Sequence, residues 1–317
     1  TGTAGRCDSE KIGVSHTVFR YFGCQPIPFG GSISPFAKVC SRLPVASFEV
    51  FIASFFFCQV GTGFDGCIIN LFEYSVYKPE MFFAFPADIA YGKCVVITAY
   101  SQSDTAVTLV ANTADTAEWT KLHLNQVQYD ESLLDYLKQI DANENNFIVF
   151  HFKGNHFNFI NRYPQEFAKF SKPDAYDLIP NYIDSIAYTD YVLQQIQEYA
   201  AKHLNLQAMV YFSDHATIPD KRRSPNFGGF ATVRIPLFTY LADDYISKHP
   251  EVYSALKANR DKYWTNDLAY ELICGILDIK SNHYDESNSL ASTQYKYTKD
   301  MLMTDLGKLH IIDDIEK

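Results

Sequence analysis

The sequence predicts an α/β fold, with a mostly parallel central sheet and helices on both faces. Three observations carry that expectation. Short apolar runs recur along the 317 residues, segments of helical periodicity separate them, and no Pro/Gly/Ser-rich linker or internal repeat divides the chain. Alternation of strand and helix is the pattern of a sheet covered on both sides. One catalytic-size domain, 1–317, is the simplest organisation.

Taken in order, residues 48–60 form the first strong run. Together with 43–47 it is about long enough to cross a bilayer, but Glu49 interrupts it and its Phe/Val content suits a buried strand. Residues 94–99 form the next strand. Residues 131–140 place Leu133, Leu134, Leu137 and Ile140 on one helical stripe, and a strand follows at 147–152. Residues 183–199 repeat the helical pattern with Ile186, Val192, Leu193 and Ile196. Further strands are expected at 209–212 and 235–241. Buried parallel strands read as continuous apolar runs because both of their faces are covered. Ligands collect at the carboxyl ends of such strands, so the polar residues that follow each run are the candidates for function.

With 47% hydrophobic and 20% charged residues the chain is an ordinary globular protein, which excludes disorder and coiled coil. Lys plus Arg number 27 against 37 Asp plus Glu, a net charge of −10. That balance argues against a nucleic-acid partner held by general attraction to phosphates. An anionic group remains within reach if a metal ion or a local basic patch supplies positive charge. Of seven cysteines, six lie within the first 94 residues, which suggests local staples in an oxidising compartment, and the odd total leaves at least one thiol over. Residues 1–10 are polar and Gly/Thr-rich, so neither a signal peptide nor an anchor is expected in this chain. Residues 281–317 are polar with an acidic end and contain no motif.

Four segments contain residues able to do chemistry. Ser213-Asp214-His215 follows the apolar run at 209–212, where a carboxylate and an imidazole make a pair of metal ligands. Asp214 as a helix cap and His215 as a satisfied loop residue are the alternatives. In His151-Phe152-Lys153-Gly154-Asn155-His156, His151 lies in the strand alternation and suits the core, whereas His156 follows Gly154 in a loop and suits a cleft. The segment from Cys58 to Cys67 contains Thr62 between two glycines. If a helix starts there, its N–H groups favour an anion and a Thr hydroxyl ligates metal and attacks phosphorus; otherwise Thr62 is an N-cap. A Cys58–Cys67 staple would hold that loop. Glu10, six residues before His16, is by itself a surface acid. Lys221-Arg222-Arg223 reads as a solvated loop or a phosphate clamp.

Together these segments resemble the periplasmic catalytic domain of phosphoethanolamine transferases, in the alkaline phosphatase and sulfatase superfamily. Tyr129-Asp130-Glu131-Ser132-Leu133-Leu134 is similar to the family's run before the central strand, and 147–156 to its strand and Gly-x-His loop. Arg162-Tyr163-Pro164, the helix beginning Tyr182-Ile183-Asp184-Ser185, and Tyr211-Phe212-Ser213-Asp214-His215 follow in the family's order. The resemblance implies an alkaline phosphatase/sulfatase-like fold and a site for Zn²⁺, or Mn²⁺ or another divalent cation. Its ligands would be Glu10, Thr62, Asp214 and His215, with Thr62 as nucleophile and Ser47 as the alternative, and His156 acting on the phosphoryl oxygens.

It also implies phosphatidylethanolamine as donor and lipid A or another envelope glycan as acceptor. The chain would be a monomeric domain on the periplasmic side of the inner membrane, joined in a longer protein to an N-terminal membrane domain. Three departures stand out: Phe227 where a second His is common, Ala216 after the Asp-His pair, and a polar segment in place of the first strand. Cys24-Gln25-Pro26-Ile27-Pro28 lacks the Arg of the sulfatase Cys-x-Pro-x-Arg signature, which disfavours sulfate-ester chemistry. The rival functions are a phosphoglycerol transferase or phosphodiesterase of the same superfamily, and a non-catalytic binding protein on this scaffold.

Overall fold

The computed structural model describes residues 17–20, 49–58, 93–99, 111, 114–119, 128–172, 177–220, 229–279, 283–304 and 307–315. Glu10, Ser47, Thr62, Lys221-Arg222-Arg223 and Phe227 lie outside them.

Seven strands among the described residues form one sheet. They are β1 (Thr17–Arg20), β2 (Glu49–Cys58), β3 (Lys93–Thr98), β4 (Thr116–Trp119), β5 (Asn146–His151), β6 (Ala208–His215) and β7 (Leu237–Leu241), in the order β1-β7-β6-β2-β5-β3-β4. Every apolar run expected to be a strand is one. β3 is parallel to both β4 and β5, whereas β2 is antiparallel to β5 and β6, and β7 to β6 and β1. Followed across the sheet, β1, β3, β4, β5 and β6 point one way, and only β2 and β7 oppose them. An apolar run records burial on both faces but carries no sign of direction, so these two reversals were invisible in the sequence.

Strand alternation sorts the core into two layers. One face collects Cys94, Val96, Phe147, Val149, Ala208, Val210 and Phe212. Against it pack three helices, α3 (Asp243–Lys248), α4 (Pro250–Asn259) and α5 (Ala269–Leu277), through Tyr245, Val252, Leu256, Leu272, Ile273 and Ile276. The polar stretch after residue 280 contributes to the same layer, because Leu290, Ala291, Tyr295 and Leu302 are buried in it. The other face collects Val95, Ile97, Ile148, Phe150, Met209 and Tyr211. It is covered by α1 (Leu134–Leu137), the 3-10 turn before it and α2 (Leu178–His203), through Leu133, Leu137, Tyr188, Val192, Leu193 and Ile196. Phe147, Phe150 and Phe152 have no exposed surface, and burying each contributes roughly 2–3 kcal/mol.

Helix lengths differ from the periodic pattern for local reasons. The stripe at 131–140 yields only a 3-10 turn and the single turn of α1. Just beyond, the Asp141 carboxylate accepts the Asn143 N–H at 2.9 Å, a local bond that competes with helix continuation. Conversely, α2 starts five residues before the periodic segment. Pro180 sits in its first turn, where an N–H is not needed. Cys94, at the start of β3, is disulfide-bonded, in line with staples near the N-terminal end, while Cys274 is buried within α5. No helix among the described residues is long and apolar enough to cross a membrane.

Candidate functional site

β5 and β6 run in the same direction on either side of β2, so their carboxyl ends, His151 and His215, reach one edge of the sheet. The candidate residues gather at that edge. Ser213, Asp214 and His215 are the last residues of β6, so the pair stands at the carboxyl end of a strand. Ser213 is fully buried, and its hydroxyl donates to the His215 carbonyl at 2.7 Å. That contact ties Ser213 to the last residue of the strand. Asp214 and His215 project from it with side chains 34% and 25% exposed.

The orientation of the His215 ring is chemically informative. Its Nδ1 lies 3.0 Å from the Ala216 carbonyl oxygen, which can only accept, so Nδ1 carries the proton. In the neutral ring Nε2 then presents its lone pair, and Nε2 stands 3.4 Å from Asp214 Oδ2. A second proton on the ring or a cation shared by both would turn the repulsion between these two electron-rich atoms into attraction. A His that donates one ring N–H to a backbone carbonyl and offers the other nitrogen is the usual arrangement of a metal ligand. The donor pair therefore fits a divalent cation.

Asn266, just before α5, holds this strand end from outside. Its side-chain amide donates to the Ser213 carbonyl at 2.9 Å and to the Asp214 carbonyl at 3.0 Å. Nothing in the sequence near Asn266 signals this, because the contact spans more than fifty residues. Among the described residues no group of three or more His, Cys, Asp or Glu is placed to hold a metal ion, so the further ligands expected at Glu10 and Thr62 fall outside the described part.

The loop after β5 is held on both sides. His151 ends the strand and contacts the Thr98 hydroxyl on β3 at 3.2 Å, as expected for a packed residue. The buried Asp130 carboxylate accepts the N–H groups of Lys153 at 3.1 Å and Gly154 at 2.7 Å. Burial pushes the Asp130 carboxyl above its ordinary value, against the lowering effect of those two donors. Gly154 has φ +48°, a conformation that a side chain would strain. Asn155, also buried, donates to the Ser185 hydroxyl on α2 at 2.9 Å. What this loop presents is His156, whose Nδ1 lies 2.6 Å from the Phe157 carbonyl oxygen. That contact assigns the proton to Nδ1 and leaves Nε2 to exchange a proton or accept one. Asp130 thus braces the His156 loop, a role the sequence did not announce.

The register of β2 bears on the nucleophile. Glu49 is the Cα partner of His215, at the edge carrying the candidate residues, while Cys58 is the partner of Asn146, at the opposite edge. Ser47 precedes Glu49 by two residues, and Thr62 follows Cys58 by four.

Comparison with known proteins agrees with this architecture. The sulfatase family model matches residues 81–302. A curated relative, the Kdo(2)-lipid A phosphoethanolamine 7''-transferase of Salmonella typhimurium, is 25% identical over 127 residues, covering 35% of this chain and 22% of the relative. The aligned part thus spans about a fifth of that relative's length. Among solved structures, the zinc complex of the C-terminal periplasmic domain of EptC from Escherichia coli superposes with a TM-score of 0.62 at 18% identity, covering 84% of this chain and 81% of that one. The C-terminal periplasmic domain of the phosphoethanolamine transferase EptC from Campylobacter jejuni gives 0.52 at 20% identity, covering 80% and 84%. At these identities the superpositions establish the fold.

Proposed function

Because this chain belongs to the sulfatase family, we propose that it is a metal-dependent transferase moving phosphoethanolamine from phosphatidylethanolamine to a cell-envelope acceptor, lipid A or another glycan. The observation that carries the proposal is the Asp214–His215 pair, with Nε2 and Oδ2 turned toward each other at 3.4 Å at the carboxyl edge of the sheet. The zinc complex of a domain with this fold supports zinc as the cation. Asp214 and His215 would hold it with Glu10 and the nucleophile hydroxyl, a set of three oxygens and one nitrogen suited to tetrahedral coordination. When bound, the cation lowers the pKa of a ligating hydroxyl and offsets negative charge building on phosphoryl oxygens.

The residues of the chain then divide the work. The Thr62 hydroxyl attacks the phosphorus of the donor, the bond from phosphorus to the diacylglycerol oxygen breaks, and the hydroxyl proton passes to that leaving oxygen. A phosphoethanolamine ester on Thr62 results. In the second half an acceptor oxygen attacks phosphorus, the bond to Thr62 Oγ breaks, and the acceptor's proton returns to Thr62. His156 Nε2 moves these protons or donates to the phosphoryl oxygens, with the ring held by the Phe157 carbonyl. Such a domain would work at the periplasmic face of the inner membrane.

Incubation with vesicles containing lipid A and headgroup-labelled phosphatidylethanolamine, with headgroup-labelled phosphatidylglycerol in a parallel arm, tests the proposal. Label should pass to lipid A with release of diacylglycerol. Release of free phosphoethanolamine alone would identify a phosphodiesterase, and transfer only from phosphatidylglycerol would identify a phosphoglycerol transferase.

Asn266 offers a finer check on the metal site. Asn266→Ala removes both donors that hold the Ser213 and Asp214 carbonyls. Zinc affinity is expected to fall about tenfold, the lower end of what supporting contacts around a metal contribute. Competition with a chromophoric chelator reads this directly, and unchanged affinity would remove Asn266 from the support of the site.

A further inference from the structure

The loop between β5 and α2 exposes apolar side chains that it has no freedom to withdraw. Phe157 and Phe170 are 48% and 46% exposed, and Ile179, at the start of α2, is 39% exposed. Phe157 stands edge-on to Phe159 at 5.6 Å, and Phe159 packs on Tyr182 of α2 at 5.0 Å. Phe170 is fixed by its backbone. The buried Asp184 carboxylate accepts N–H groups from Lys169 at 2.8 Å, Phe170 at 3.1 Å and Ser171 at 2.8 Å, and the Ser171 hydroxyl at 2.7 Å. The Tyr163 hydroxyl ties the same loop to Asn181 at 2.6 Å. Leaving large apolar groups in water on a pinned loop forgoes burial energy, which points to a surface that covers them in use.

Charge indicates the character of that surface. Residues 151–179 contain Lys153, Arg162, Lys169 and Lys172 against Glu166, Asp174 and Asp177, a net charge of +1 in a chain that carries −10 overall. Lys169 and Lys172 are exposed on either side of Phe170. Burial and the neighbouring positive charge of Arg162 hold the Lys153 ammonium below its ordinary value, a repulsion that an approaching anion relieves. Aromatic and aliphatic groups interleaved with lysines match the boundary between acyl chains and anionic headgroups. The loop leaves the carboxyl end of β5 and leads to the start of α2, so it lies at the edge that also presents Asp214 and His215.

We infer that Phe157, Phe170 and Ile179, with Lys169 and Lys172, form a bilayer-docking surface that seats the catalytic edge of the domain on an anionic membrane. Docking would bring the site to headgroup level and let a lipid donor reach it without leaving the bilayer. The inference goes beyond the reaction proposed above and needs no turnover to be tested.

The test is co-sedimentation of the purified chain with phosphatidylcholine vesicles, with and without phosphatidylglycerol. Binding is expected to the mixed vesicles and to weaken with salt. Lys169→Ser and Lys172→Ser should each weaken it about fivefold. Phe170→Ser and Phe157→Ser should do so by about tenfold, with circular dichroism unchanged because both side chains are exposed. Met301 and Ile312, 50% and 51% exposed at the far end of the chain, serve as controls, and Met301→Ser and Ile312→Ser should bind as the parent does. Absence of binding to mixed vesicles, or equal losses in patch and control variants, would overturn the inference. Vesicle binding in a chain that transfers no label would leave the docking surface standing and sink only the reaction.

Discussion

Asp214→Asn is expected to lower zinc affinity by more than about 100-fold while leaving the fold intact. The substitution removes a full negative charge and one strong oxygen donor, which exceeds the 10–100-fold loss typical of disturbing only a supporting contact. It keeps the side chain's shape. The amide oxygen of Asn can still accept the His215 N–H that Asp214 Oδ1 accepts at 2.8 Å, so this contact at the end of β6 survives. Asp214 is also partly solvated, which limits any disturbance of the core. Elemental analysis of purified protein and a competition titration read the metal, and thermal melting of the metal-free protein reads the fold. Full zinc content in the variant would exclude Asp214 as a ligand.

The second large effect concerns the nucleophile. Thr62→Ala is expected to abolish the covalent phosphoethanolamine adduct and to cut transfer by on the order of 10⁴-fold or more, the scale on which enzymes lose activity when an attacking group is removed. Intact-mass spectrometry after incubation with donor lipid detects the adduct as an added phosphoethanolamine on the parent chain. Ser47→Ala is the necessary companion. Ser47 lies two residues before Glu49, the strand end that pairs with His215, whereas Thr62 lies four residues after Cys58, the end that pairs with Asn146. Loss of the adduct in Thr62→Ala alone establishes Thr62, and its loss in Ser47→Ala alone transfers the role to Ser47. An adduct retained in both variants would end the covalent mechanism on these residues.

Strand positions were legible because each was written as a predominantly apolar run. Residues 147–152 and 209–212 are such runs, and both became central strands buried on two faces. The helix at 183–199 was legible because its stripe repeats over several turns. The stripe at 131–140 misled because it is short, and a short periodic segment yields to side-chain bonds such as that from Asp141 to the Asn143 N–H. The core contribution of 281–317 was hidden for a different reason. Leu290 and Ala291, Tyr295 and Leu302 are buried at irregular spacing in a largely polar stretch, and irregular spacing carries no period.

By itself the sequence determined where the chain is strand or helix along its strongest runs, that Asp214 and His215 stand at the end of one strand, and that His156 lies in the loop after another. Those properties follow from local order, since hydrophobic pattern and chain neighbours are fixed by covalent sequence. Tertiary structure alone decided the opposing directions of β2 and β7, the bracing of the His156 loop by Asp130, and the support of Ser213 and Asp214 by Asn266. Each joins backbone groups to residues distant in sequence. A hydrogen bond between such groups exists only once the sheet has brought both ends of the contact to one edge.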